Sequence, residues 1–399
     1  MAKPLHRAAA LVPRTRSSHD FAAGTVANFG FKSGTRNIAL PVSFSIPTFA
    51  QSSRQMLANF GIGTLALLAG LALAAQDAVA QTPNCPTMRK INIGVSVAPP
   101  NVVHTAPYIA KALGYFEKRC IDANVIQFEG GGSAASAAAA AQGSAMVSVG
   151  DVAIGRGMRV RQIWGLAPRM PQAYMVAADI KTAADLKGRK LSATGGGVGS
   201  FNWRMGRAVL QSAHLDVSDA QFIPSALAGR LPGLVAGQID AVALHPEDVF
   251  LAAQQKPGLH PLVQLAELMP DYMFNAYGAS TDWIARDPDL LRDAVAAMIE
   301  ANRTAYRDKA KVVPAIAAAT QKPKEAVEYA LDVLTKHCVW SVNEGFSRKR
   351  TDWTIDYDVS VGDIEAAKKP SVEQVVDMKL ASAAVEAAGG RVTIGNCTE

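Results

Sequence analysis

The residues best suited to chemistry in this sequence gather at a few expected strand ends. They are Asn101 with His104, Gly132 with Ser133, Asp151, the run Thr194, Gly195, Gly196, Gly197, Val198, Gly199, Ser200, then Arg204, Ser225, and His245 with Glu247. The glycine run ending in Ser200 is the strongest of these. A turn of that composition leaves several backbone N–H groups unpaired at a helix start, where the helix dipole favours an anionic or strongly accepting group. Ser200 stands at the N-cap position. Arg204, one turn further on, has the geometry to grip an acid with two parallel hydrogen bonds, or to sit solvated on the helix. His104 is placed to donate to a carboxylate or sulfonate, or to cap the helix that follows it. Ser133 reads as a helix cap that offers its N–H or hydroxyl to a ligand. Asp151 is a turn residue or a ligand contact. His245, Glu247 and Asp248 could be mistaken for an acid–base set, but read as a ligand rim or as contacts between lobes. If Asp151 and Glu247 face a cleft, the ligand carries a positive or hydrogen-bond-donating end.

Other chemistries are excluded by spacing. The glycine run lacks a Gly-Lys-Ser/Thr ending and the dinucleotide G-x-G-x-x-G spacing. There is no nucleophile elbow and no metal-spaced His or Cys set, so no catalytic residue, metal or cofactor is assigned. Trp164 and Trp203 could stack on a ring, but tryptophan is more often core.

The elements that must position these groups alternate. Strands are expected at 91–97, 121–129 and 145–149, with helices at 106–113 and 134–141 between them, which argues for a parallel α/β sheet. A partial second copy follows at an offset of 94: Gln127-Phe128 recurs as Gln221-Phe222, and Gly143 as Gly237, each glycine preceding an apolar strand (145–149, 239–244). The central unit is a strand at 190–193, the glycine turn, and a helix carrying Phe201, Met205, Ala208 and Val209. Segment 180–186 with Gly188 should separate the two halves, and 272–280 should be the return crossing. Helices are expected at 289–308, 312–320, 323–334 and 371–388. In parallel sheets ligands sit outside the carboxyl ends of strands, so loops 101–105, 131–133, 194–200 and 225–228 should meet at one cleft.

The chain of 399 residues carries a formal net charge of +6 and is 49% hydrophobic, long enough for two domains. Lys3, Arg7, Arg14, Arg16, Lys32, Arg36 and Arg54, against Asp20 and Asp77 alone, concentrate the excess in residues 1–80. The basic balance is therefore a property of a leader, not a nucleic-acid signal. The uncharged run at 60–75, followed by Ala78-Val79-Ala80, has the pattern of a secretory signal peptide cleaved near Ala80. Residues 1–55 are either an over-extended start or a long basic n-region. Cys85, Cys120, Cys338 and Cys397 are an even set for an oxidising compartment. Of three possible pairings, Cys85–Cys120 is favoured because both precede neighbouring strands, which leaves Cys338–Cys397.

The stretches HTAPYIAKALGYFEKRC, IDANVIQFEGGGSAASAAAAAQGSAMVSVGDVA, DLKGRKLSATGGGVGSFNWRMGRAVL and FIPSALAGRLPGLVAGQIDAVALHPEDVF resemble the periplasmic substrate-binding proteins of nitrate-, sulfonate- and taurine-type ABC importers, a family that includes thiamine-pyrimidine precursor binders. The resemblance runs over residues 91–305. It implies a type II periplasmic-binding-protein fold: two α/β lobes joined by a two-segment hinge, with residues 88–178 and 278–399 in one lobe, 179–277 in the other, and the ligand cleft between. It implies a periplasmic, monomeric receptor for a small organic ligand, anionic or zwitterionic and sulfonate- or carboxylate-like, working with an ABC permease and its ATPase subunit. Two alternatives share the fold: an enzyme of thiamine-pyrimidine precursor synthesis, whose cysteine-rich iron motif is missing here, and the ligand-sensing partner of a membrane receptor.

Overall fold

Ten strands build two sheets. They are β1 (Arg89–Val95), β2 (Ile121–Gln127), β3 (Met146–Ser148), β4 (Val160–Ala167), β5 (Ala173–Val176), β6 (Lys190–Ser192), β7 (Gln221–Ile223), β8 (Ala241–Leu244), β9 (His260–Gln264) and β10 (Asn275–Ser280). The computed structural model describes residues 85–128, 134–193 and 197–399. The expected leader and signal peptide, and Gly132, Ser133, Thr194, Gly195 and Gly196 of the glycine turns, lie outside the described residues.

The first sheet has the order β2-β1-β3-β10-β4 and the second β7-β6-β8-β5-β9. In each, three strands run parallel (β1 with β2 and β3; β6 with β7 and β8), and the third meets an antiparallel neighbour, β10 or β5. The internal repeat is thus a repeated topology. Gly143 and Gly237 occupy matching places just before β3 and β8, with φ of +65° and +72°, a backbone that L side chains rarely adopt. β5 and β8 are buried along their whole length, as continuous apolar strands covered on both faces must be. One apolar core packs the first sheet against the helices Ala106–Ala112 and Pro288–Arg307; two smaller ones cover the faces of the second sheet.

The lobe boundaries expected from sequence need moving. β5 already belongs to the second sheet and β10 to the first, so the chain crosses at residues 168–172 and 265–274, not at 178/179 and 277/278. Segment 180–186 is no linker: Thr182 and Asp185 form a capping box on the short turn Ala183–Leu186 inside the second half. Helices Pro288–Arg307, Lys309–Thr320 and Lys324–Lys336 fall where periodicity places them. The last expected helix is broken into Val372–Val375 and Met378–Ala387, because Val376 turns aside to bridge Gln162 of β4 and Asp377 caps the second piece through Leu380 N–H. The helix Arg348–Ser360 was not anticipated. Both disulfides, Cys85–Cys120 and Cys338–Cys397, form as expected. Among the described residues no helix is long and apolar enough to cross a membrane.

Candidate functional site

A cleft of ≈ 440 Å3 opens between the two sheets. Its walls are the carboxyl ends of strands from both: Ser96 and Val97 after β1, Ser148 to Asp151 at and after β3, Gly199, Phe201, Asn202 and Arg204 after β6, and His245 after β8. This is the place where parallel sheets leave unpaired amides and loop side chains. Tyr272, Met273 and Phe274 of the second crossing line it as well, with Thr351 and Thr354 of the helix Arg348–Ser360.

Gly199 brings the central glycine turn to the cleft wall. Gly197 and Gly199 have φ of +75° and +84°, and Ser200 caps the helix Phe201–Ser212 by accepting the Trp203 N–H at 3.4 Å. Of the other expected contacts, His104, Asp151, Arg204 and His245 line the cleft; Asn101, Gly197, Ser200, Ser225 and Glu247 are not among its lining residues. Ser225 is exposed, and the same loop contributes Leu227 and Arg230 instead. Trp164 is fully buried, donating Nε1–H to Asn343 O at 3.1 Å. Trp203 lies beside Phe222 and under the Arg207 guanidinium.

Asn101 and Glu247 meet each other. Glu247, fully buried at the start of the helix Pro246–Gln255, accepts hydrogen bonds from Asn101 Nδ2 (2.9 Å) and Val102 N (3.1 Å). Asn101 Oδ1 accepts in turn from Arg230 at 3.2 Å. Asp248, next in line, pairs with Arg230 at 3.6 Å and with Lys322. These contacts join the second half to the first. Burial, and then the neighbouring Asp248, raise the Glu247 carboxyl above its ordinary range.

His104 and His245 stand at the cleft edge, ring centroids 5.5 Å apart, each 5.9 Å from Phe274. Burial, helped by the positive Arg230, pushes His104 down to about 3 and holds His245 well below the ordinary value. Both rings are therefore neutral at physiological pH. Gln172 meets His245 Nε2 at 3.3 Å.

The charged floor is a second cluster. Asp151, 6% exposed, begins the short helix Asp151–Gly155. Its carboxyl lies beside that of Asp358 of the helix Arg348–Ser360, and burial raises both, Asp358 to about 8, against the backbone N–H groups of Asp151 and Val152, which favour the Asp151 carboxylate. Arg204 lies close to both acids but pairs with Asp363 at 3.3 Å. Asp363 also takes a forked contact from Arg207 at 3.4 and 3.0 Å. Arg204 is thus not a free clamp for an anionic ligand: the acids of its own chain already claim its charge. Sequence reading missed Asp358, Arg230, Phe274 and Tyr272. Among the described residues no group of three metal-ligating side chains exists, and no cysteine is free.

The two sheets with the cleft at their strand ends define a two-lobed α/β fold of the type II periplasmic-binding-protein kind. Residues 101–311 match the model of the NMT1/THI5-like family, and the chain belongs to that family. No curated protein matches the sequence significantly. Solved structures do. The periplasmic aliphatic sulphonate binding protein SsuA from Escherichia coli is similar at 20% identity and TM-score 0.57, over 74% of this chain and 99% of that one. The periplasmic nitrate-binding protein NrtA from Synechocystis PCC 6803 is similar at 16% and 0.58, over 76% and 90%. The desulfurization enzyme DSZB is similar at 17% and 0.55, over 74% and 99%. At these identities the likeness establishes the fold.

Proposed function

We propose that this protein is a periplasmic solute-binding receptor that hands a small organic ligand to an ABC permease driven by its ATPase subunit. The observation that carries the reading is the cleft itself: both sheets present their strand ends to one enclosed space of ≈ 440 Å3, room for a small organic molecule. The export leader expected at residues 1–80 and the two disulfides fit an oxidising compartment. The finer expectation of a simple anion loses support, because Arg204 and Arg230 are both matched by acids of the chain. A zwitterion fits the balanced charges better. Residues 88–167 with 275–399, and 168–274, act as the two lobes, closing on the ligand by a shift of a pre-existing equilibrium.

DSZB shows that an enzyme can occupy this fold, so the fold alone does not decide. Against catalysis here stand the two disulfides, which consume all four cysteines, and two cleft imidazoles held neutral by burial without a carboxylate bonded to either ring.

Thermal unfolding of the purified protein against sulfonates, carboxylates, amino acids, nitrate and pyrimidines tests the reading. A true ligand at 100 times its Kd stabilises by about 2.7 kcal/mol and is recovered unchanged. A panel with no stabilising member, or a bound compound converted to product, overturns it.

A further inference from the structure

The cleft floor holds an acid pair whose hydrogen-bonding capacity the protein does not fill. Asp151 lines the cleft and is 6% exposed; Asp358 stands behind it, fully buried. No protein donor reaches Asp151 Oδ2 or either oxygen of Asp358; the two carboxyls meet each other. Such a pair ionises only in part, because like charges in contact oppose one another and burial disfavours both. The groups facing it are few. Arg204 comes from the helix Phe201–Ser212 and is shared with Asp363. Tyr272 comes from the crossing segment, and Tyr357 neighbours Asp358 in sequence. Arg207 is spent on Asp363. Unfilled buried acceptors are costly, and here Asp151 lines the cleft with Asp358 behind it.

Resting on the receptor reading above, we infer that Asp151 and Asp358 form a proton-exchange site that selects solutes with an ammonium or similarly cationic N–H group: the ligand's cation takes the place of the proton the two carboxyls share. The balance is simple. The free pair holds one proton; the bound pair is doubly ionised against the ligand cation; the proton leaves to solvent. The aromatic wall formed by Phe201 and Phe274, rings 5.6 Å apart in edge contact, accommodates the apolar body of such a ligand.

The test is calorimetry on the full protein with probe pairs that differ in the amino group: taurine with ethanesulfonate, β-alanine with propionate, and benzylamine with benzyl alcohol. In at least one pair the amino member should bind tenfold or more tighter at pH 8.5. Because Asp358 is pushed up to about 8, that affinity should fall by up to about tenfold for each pH unit below about 8 as the shared proton competes with the ligand. At pH 7 the binding heat should vary with the buffer's ionisation enthalpy, reporting close to one proton released. Asp151→Asn should abolish both the amino preference and the pH slope. The buffer dependence of the unaltered protein gives an answer even if that variant does not fold. Amino-free members binding as tightly as their partners, or amino members binding with no proton release, overturn the inference and leave the receptor reading intact. Failure of every probe, together with failure of the broader panel above, takes down the receptor reading and this inference with it.

Discussion

Two clusters of buried acids lie in the same molecule and do opposite things. Around Glu247 and Asp248 the carboxylates are largely answered from within: Asn101 and the Val102 amide serve Glu247 Oε1, and Arg230 and Lys322 serve Asp248, leaving Glu247 Oε2 alone without a donor. Around Asp151 and Asp358 the protein supplies one arginine, itself pledged to Asp363, and backbone N–H groups to Asp151, and leaves Asp151 Oδ2 and both Asp358 oxygens without a donor. Both clusters are equally hidden from solvent. On the proton-exchange reading, what separates a structural tie from a ligand-facing group is the tally of donors, not burial or residue type.

The contrast predicts different responses to removal. The largest effect is expected at the filled cluster. Asp248→Ala leaves Arg230 and Lys322 without their carboxylate in a buried place, and should destabilise by about 3 kcal/mol in urea unfolding. A loss under about 1 kcal/mol would show that the tie is dispensable. Next is Glu247→Ala, which strands the Asn101 and Val102 donors and should cost about 2 kcal/mol by the same measurement.

The unfilled cluster should respond to pH. Asp358 holds a proton in the fold up to about 8, whereas the unfolded chain gives it up near the ordinary 3.8. Its contribution to stability is therefore full at low pH and is lost as pH rises toward about 8. His104, lowered to about 3, acts in the other sense, with its contribution lost as pH falls below the ordinary 6.5. The two slopes oppose each other between the unfolded values, leaving a net decline from pH 6.5 to 8. That decline is bounded by about 1.4 kcal/mol per pH unit for one proton. Asp358→Asn should flatten it in thermal melts; an unchanged slope would mean that the pair is ionised throughout. The smallest effect is at the glycine turn. Gly199→Ala meets nothing within 4 Å but must adopt φ +84°, a backbone penalty of about 1 kcal/mol. A ligand affinity unaltered by that change would place the turn outside the contact surface.

Much of the scaffold was legible in the sequence because it rests on local rules. Ser200 after a glycine run marks a helix start, and Gly143 and Gly237 mark left-handed helix ends. Apolar runs such as 241–244 mark central strands. Cys85 paired with Cys120 as their positions before neighbouring strands suggested, which left Cys338 for Cys397. What escaped was of two kinds. β4 and β5 straddle the crossing, and two largely buried strands separated by only residues 168–172 leave no long loop to mark the change of sheet. The helix Arg348–Ser360 carries Trp353, Ile355, Tyr357 and Val359 without a single apolar stripe, so periodicity could not announce it, yet it supplies Asp358. Asn101 and Glu247 were recognised as special; that they would spend themselves on each other, 146 residues apart, is a fact of three-dimensional pairing that no local pattern encodes. Arg204 was read as a clamp for the same reason: its neutralising partner Asp363 is distant in the chain.

Tyr272 and Phe274 belong both to the strip of chain that passes between the sheets and to the cleft wall. Tyr272 also touches Trp353, edge to face at 6.4 Å. A turn of one half against the other must therefore drag an indole's neighbour with it. If the lobes close on a ligand as proposed, the molecule carries an optical gauge of that closure: tryptophan emission followed during titration would report the swing without any attached dye.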